Sequence, residues 1–137
     1  MAQTQKPTTL GYAEVAKLMV GVTTAMAAGA SGLKSVVGLT GACTAAEAST
    51  FLNPGGATKL AANGFALVNA DSVTSSAGVV TLDEVFTCSG AQSVSGFAVE
   101  NDDDDVVYAE CCFNAALACE ISDTVTVQMT IEFKLGA

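Results

Sequence analysis

Toward the end of the chain, apolar and polar residues alternate without a break. Val125, Val127, Met129, Ile131, Phe133 and Leu135 interleave with Thr124, Thr126, Gln128, Thr130, Glu132 and Lys134. Successive side chains of a strand point to opposite faces, so residues 124–135 are predicted to form a strand with one face on a core and the other in water. The same period of two runs through 65–70, 79–88, 93–100 and 106–113, with turn residues between the segments. Over 79–88, Val80, Leu82, Phe86 and Cys88 share a face that Glu84 interrupts. Such strands bury their apolar faces by packing sheet on sheet. The expected fold is therefore mainly β, an antiparallel β-sandwich (jelly-roll-like).

Nearer the start the period changes. Tyr12, Val15, Met19, Val22 and Met26 recur at helical spacing, with Glu14 and Lys17 on another side, which predicts an N-terminal α-helix ending at Gly29 and Gly32. Residues 33–39 follow as a short first strand. The alanine-rich residues 44–52 are expected to make one or two helical turns before Asn53-Pro54-Gly55-Gly56 breaks them. Residues 1–62 thus form an arm, helix and first strand or loop region packing on the core or a neighbour, and 63–137 form the β core. A chain of 137 residues fits one structural domain overall. The stripe Tyr12, Val15, Met19, Val22 and Met26 is either a contact surface for another subunit or a face docked on the chain's own sheets.

Composition sharpens the expectation about partners. Hydrophobic residues make up 50% of the chain and charged residues 14%, against roughly a quarter charged in an average domain. So few charges leave apolar surface that a second copy or a larger assembly is expected to cover. The net charge of -9 comes from 14 acidic residues and five lysines, with no arginine. Nucleic acid and anionic membrane surfaces are both expected to be excluded as partners, since each needs clustered basic residues. The uncharged run 18–33 contains three glycines and two threonines and is short for a membrane span. Glu14 among the flanking lysines argues against an export signal.

Chemistry is scarce. There is no histidine, so the commonest general base is missing, no mixed zinc site can form, and no enzyme activity or cofactor is expected. Carboxylate pairs can be drawn from Asp83, Glu84, Glu110, Glu120 and Asp123, but these acids are expected on solvent faces. Asp102, Asp103, Asp104 and Asp105 offer calcium the oxygen ligands it prefers, yet their spacing is not that of an EF-hand, and a solvated hairpin loop is the simpler expectation. Cys43, Cys88, Cys111, Cys112 and Cys119 contain no CxxC pair. Most are expected to be small buried hydrophobes in a reducing compartment, with a single disulfide as the alternative. Cys111 and Cys112 point to opposite faces of a strand and cannot pair with each other without strain.

The order of segments resembles a known class. A glycine-containing helix is followed by Ser35-Val36-Val37-Gly38-Leu39-Thr40-Gly41, an Ala/Thr-rich loop and Val79-Val80-Thr81-Leu82-Asp83-Glu84-Val85-Phe86-Thr87. In this the chain resembles small virion proteins of tailed bacterial and archaeal viruses. Phe86-Thr87-Cys88-Ser89-Gly90 with Val94-Ser95-Gly96-Phe97-Ala98-Val99 is similar to the hairpin region of that class, and Val106-Val107-Tyr108-Ala109-Glu110 to the strand after it. Ile121-Ser122-Asp123-Thr124-Val125-Thr126-Val127 resembles its approach to a final amphipathic strand. Two departures are Ser122, where the class has glycine, and the acidic hairpin after Val99. The resemblance implies a virion component assembled in the host cytoplasm. That component would be a capsid decoration or stabilisation protein bound to itself and to a major capsid or other virion protein, or else a tail or head fibre accessory. An adhesin or pilus-like subunit is a further alternative. A carbohydrate-binding β-sandwich module is the rival from another class, and 6% aromatic residues with no tryptophan leave it few stacking faces.

Overall fold

A computed structural model describes residues 3–7, 34–76, 79–101 and 106–132. The shorter strands are β1 (Gln3–Pro7), β2 (Ser35–Thr40), β3 (Thr58–Lys59), β4 (Val68–Asn69) and β5 (Ser72–Ser76). The longer strands β6 (Val79–Thr87), β7 (Gln92–Glu100), β8 (Val107–Cys119) and β9 (Thr124–Glu132) follow. All pairings are antiparallel. One sheet runs β1-β8-β7-β2-β3, with β4 also on β2, and the second runs β5-β6-β9. The described residues are mainly β, as the period of two predicts. The helical stripe Tyr12, Val15, Met19, Val22 and Met26 lies outside the described residues. Among the described residues no helix is long and apolar enough to cross a membrane.

The β6–β9 ladder shows how alternation becomes a core. Its nine pairs run from Val79 opposite Glu132 to Thr87 opposite Thr124. Val80, Leu82, Glu84 and Phe86 therefore share one face with Ile131, Met129, Val127 and Val125. Leu82, Phe86, Val127 and Met129 join Val36, Val94, Phe97, Val99 and Cys111 of the larger sheet in a single buried cluster. At its centre the rings of Phe86 and Phe97 lie 5.4 Å apart, with Phe65 at 5.5 Å from Phe86 and Phe113 at 5.8 Å from Phe97. Each such ring removes a large apolar area from water and adds a pairwise attraction of about 0.5–1.5 kcal/mol.

The larger sheet is covered on its other face too. Val37, Leu39, Ala98 and Val107 pack there against Ala57, with Cys43 and Leu67 beside them. Two irregularities in the β7–β8 ladder set this pattern. Val99 pairs with Ala109 and Glu100 with Val107, so Tyr108 is skipped and the facing of β8 reverses there. Val94 pairs with Leu117 and Gly96 with Cys112, so residues 113–116 bow out from the ladder.

Several expectations are corrected. Residues 65–70 do not form a continuous strand, and only β4 pairs. Asn63 and Gly64 both have positive φ (57° and 88°) and turn the chain, after which Phe65 crosses β2 at Gly38. The Gly38 N–H donates to Phe65 O at 2.9 Å, and a Cβ on Gly38 would lie 2.8 Å from that of Phe65, so only glycine allows the crossing. Residues 44–52 make turns rather than helix, because their backbone groups bond elsewhere. Thr44 N donates to Gly55 O and Ala46 N to Glu110. β8 runs six residues beyond its expected end at 113, and β1 has no counterpart in the alternation pattern.

The turn between β8 and β9 holds Ser122 at φ 74°, the left-handed region where a side chain costs about 1–2 kcal/mol. Ser122 N donates to Cys88 O at 2.8 Å and Cys88 N to Asp123 O at 2.8 Å, which fixes the turn in this conformation. Ser122→Gly is expected to raise the unfolding free energy by about 0.5–1 kcal/mol, the relief of strain less the added freedom of the unfolded chain. An unchanged urea midpoint would show that the turn carries no strain.

Candidate functional site

Among the described residues, the charged groups most deeply held lie on the outer face of the larger sheet, beneath the segment 41–67. Register places them there. Ala98 stands opposite Glu110, so Glu100 and Cys112, each two residues along its own strand, face the same way. Both Glu100 and Glu110 are fully buried, which corrects the expectation of a solvent-facing Glu110.

Each acid anchors the covering segment. Glu110 Oε1 accepts from Ala46 N at 2.6 Å and from Ser49 Oγ at 2.7 Å, and Ser49 Oγ in turn accepts from Gly55 N at 3.0 Å. Glu110 Oε2 is buried without a hydrogen-bond partner. Glu100 pairs with Lys59 of β3 at 3.1 Å, and the Lys59 ammonium lies 5.7 Å from the centre of the Phe51 ring. Bonds of this charged kind contribute about 1.5–3 kcal/mol each. Beside them, a disulfide joins Cys43 to Cys112 across 69 residues of sequence, with Cα atoms 5.4 Å apart. Gly55 packs on both sulfurs, since a Cβ there would lie 2.9 Å from Cys112 Sγ and 3.0 Å from Cys43 Sγ.

Chemically this arrangement is a clamp. The Ser49 hydroxyl donates to a carboxylate and accepts from an amide, so both its directions are in use, and it is buried. The carboxylate oxygen that could draw off its proton already receives a second donor.

A third buried acid sits within β6 of the smaller sheet, one residue past its pairing with β5. Glu84 faces inward on β6 and accepts from Asp71 N at 2.9 Å, while Val85 N donates to Asp71 Oδ2 at 3.3 Å. Its burial, too, corrects the solvent-face expectation. Burial pushes the Glu84 carboxyl above its usual value of 4.5; the hydrogen bond from Asp71 opposes this and the Asp71 charge adds to it. A raised native value means that the stabilising form is the protonated one, present at low pH and lost as pH rises through the native value. Glu84→Gln keeps an acceptor for Asp71 N and removes the charge. It is expected to be more stable than the parent at pH 7, with the difference closing below about pH 4.5. Urea titrations at pH 7 and pH 4 read this, and a difference that grows on acidification would refute it.

The remaining candidate acids are spread out. Asp83 accepts from Gln128 Nε2 at 2.7 Å across the outer β6–β9 face, while exposed Glu120 and Asp123 close a turn through Glu120 N to Asp123 Oδ2 at 2.8 Å. The structure does not bring the five together. Asp102, Asp103, Asp104 and Asp105 lie outside the described residues. Asn101 and Val106 close their hairpin, with Val106 N donating to Asn101 Oδ1 at 2.9 Å. Among the described residues no three acids or cysteines cluster as metal ligands.

Cysteine use also departs from expectation, because one pair is bonded. Cys88, Cys111 and Cys119 keep buried thiols, as small hydrophobes do. Burial pushes the Cys119 thiol up, and the neighbouring Cys88, Asp123 and Glu120 add to the effect, so it stays protonated at neutral pH. Sequence reading missed Glu100, Lys59 and Ser49 as anchors. The available signal was the unbroken apolar run Phe97-Ala98-Val99, which marks a strand covered on both faces.

A cleft of about 130 Å³ opens between β9 and the β1–β8 edge, lined by Gln3, Phe113, Val125, Val127 and Met129 among others. Comparison with family models, curated proteins and solved structures finds no match for this chain.

Proposed function

We propose that this chain is a non-enzymatic virion structural protein, a jelly-roll-like antiparallel β-sandwich that decorates or stabilises a capsid through apolar contacts between subunits. One observation carries the reading. The turn Ile121-Ser122-Asp123, which resembles the approach to the final strand in small virion proteins, lies directly before an amphipathic nine-residue β9, and Ser122 there has φ 74°. The class has glycine at this position, the residue such a φ favours. Two further features support it. The buried acids Glu84, Glu100 and Glu110 are engaged in holding loops and β3 to the sheets. The chain is half hydrophobic with few charges, the composition of a protein whose surface is partly covered in use.

The test is location and copy number on purified particles, by quantitative mass spectrometry and labelling with an antibody to the chain. Hundreds of copies on the head are expected. Copies confined to the tail would replace decoration by a fibre or tail accessory role, and absence from particles would overturn the reading.

A further inference from the structure

We propose that the outer edge of β9 is a site of self-association, at which the β9 strands of two copies pair antiparallel about Gln128 and join their smaller sheets. The inference deepens the reading of an assembly subunit and rests on it for the partner's being a second copy, but the strand geometry stands by itself.

β9 ends its sheet. It pairs with β6 on one side, and among the described residues no strand lies on the other. A sheet edge presents unpaired N–H and C=O groups, and monomeric β proteins guard it with lysine, proline, bulges or short length. The other edges here are guarded in those ways. β1 is five residues ending in Lys6-Pro7, β3 has two residues, and β5 has five. β9 has nine residues in an unbulged ladder, and 124–131 contain neither charge nor proline.

The strand is also complementary to itself. A two-fold axis through Gln128 sets Val127 against Met129, Thr126 against Thr130, and Val125 against Ile131. Apolar side chains meet apolar ones on the inner face, and threonines meet on the outer face. Cross-strand pairs of these kinds stabilise a ladder, whereas like charges directly opposite destabilise it. A two-fold contact requires that one patch fit its own copy. A chain carrying -9 repels its copies over most approaches, and this uncharged edge sets no two like charges opposite each other. The cleft beside it is lined by Val125, Val127 and Met129, and the incoming strand's inner side chains would project there.

The experiment uses the full chain with Gln128→Cys. Directly opposed residues have Cβ atoms about 4.5–5.5 Å apart, so oxidised glutathione is expected to convert most of this variant to a covalent dimer on a non-reducing gel. Thr126→Cys places its two thiols roughly 13 Å apart in the same pairing and is expected to stay monomeric, as is the unsubstituted chain. Gln128 and Thr126 are exposed; Gln128→Cys gives up the hydrogen bond to Asp83, and circular dichroism verifies the fold. In a second arm, Thr126→Lys with Thr130→Lys is expected to weaken self-association roughly tenfold, and mixing it with the Thr126→Glu, Thr130→Glu form to restore it. Failure of Gln128→Cys to cross-link, or equal cross-linking by Thr126→Cys, would overturn the edge pairing. Neither result touches the presence of the unsubstituted chain on particles, which tests the functional reading separately.

Discussion

Phe97→Ala is expected to lower the unfolding free energy by about 3–5 kcal/mol, the range for emptying a buried aromatic site. Phe97 is 2% exposed and sits among three other rings, with Phe86 at 5.4 Å, Phe113 at 5.8 Å and Phe65 at 6.5 Å. It belongs to the larger sheet, whereas Phe86 belongs to the smaller one and Phe65 to a loop crossing β2. Removing it leaves a void where all three meet. Domains of this size are stable by about 5–15 kcal/mol, so the variant stands close to unfolding. Chemical denaturation with an unchanged slope measures the loss. A change below about 1 kcal/mol would mean that the sheets do not pack through this ring.

Removing the disulfide has an effect of similar size by another route. Cys43→Ala with Cys112→Ala is expected to lower stability by about 4 kcal/mol, because closing a loop of 69 residues withholds that much conformational freedom from the unfolded chain. Reduction of the native protein should do the same. Cys43 and Cys112 line an open cleft of about 260 Å³ with Thr44, Ala45 and Asn114, so a small dithiol can reach the bond. Thermal unfolding with and without dithiothreitol compares the two states. Alkylation should tag two cysteines in the reduced folded protein, while Cys88, Cys111 and Cys119 react only on unfolding. Equal melting temperatures would show that Glu110 holds residues 44–57 without help.

Alternation exposed the part of the fold in which burial is one-sided. β6 and β9 show a core face and a wet face in the sequence, and even Glu84 is visible there as an acid on an apolar face. β7 and β8 are harder to read, since both of their faces are covered and the period of two fades into a continuous apolar run. Glu100 and Glu110 look like ordinary solvated acids until the register sets them under the segment 41–67. The disulfide is hidden for the same reason, because Cys43 and Cys112 meet only when that segment folds over β8. β1 is hidden too, being short and polar, and gaining its place from a partner more than a hundred residues away. The period of two sets Phe65 at the start of a predicted strand, and the turn at Asn63-Gly64 redirects it into the core from a loop.

That long-range pairing governs when the protein can form. β1 pairs with residues 109–113 and β2 with 96–100, so neither can be completed until most of the chain has left the ribosome. Contacts so distant in sequence slow folding, and during the wait the inner residues of β2 and the apolar run of β7 stay open to wrong partners. The first strand must therefore search for its place until β8 has been made, and its arrival beside β8 completes the larger sheet.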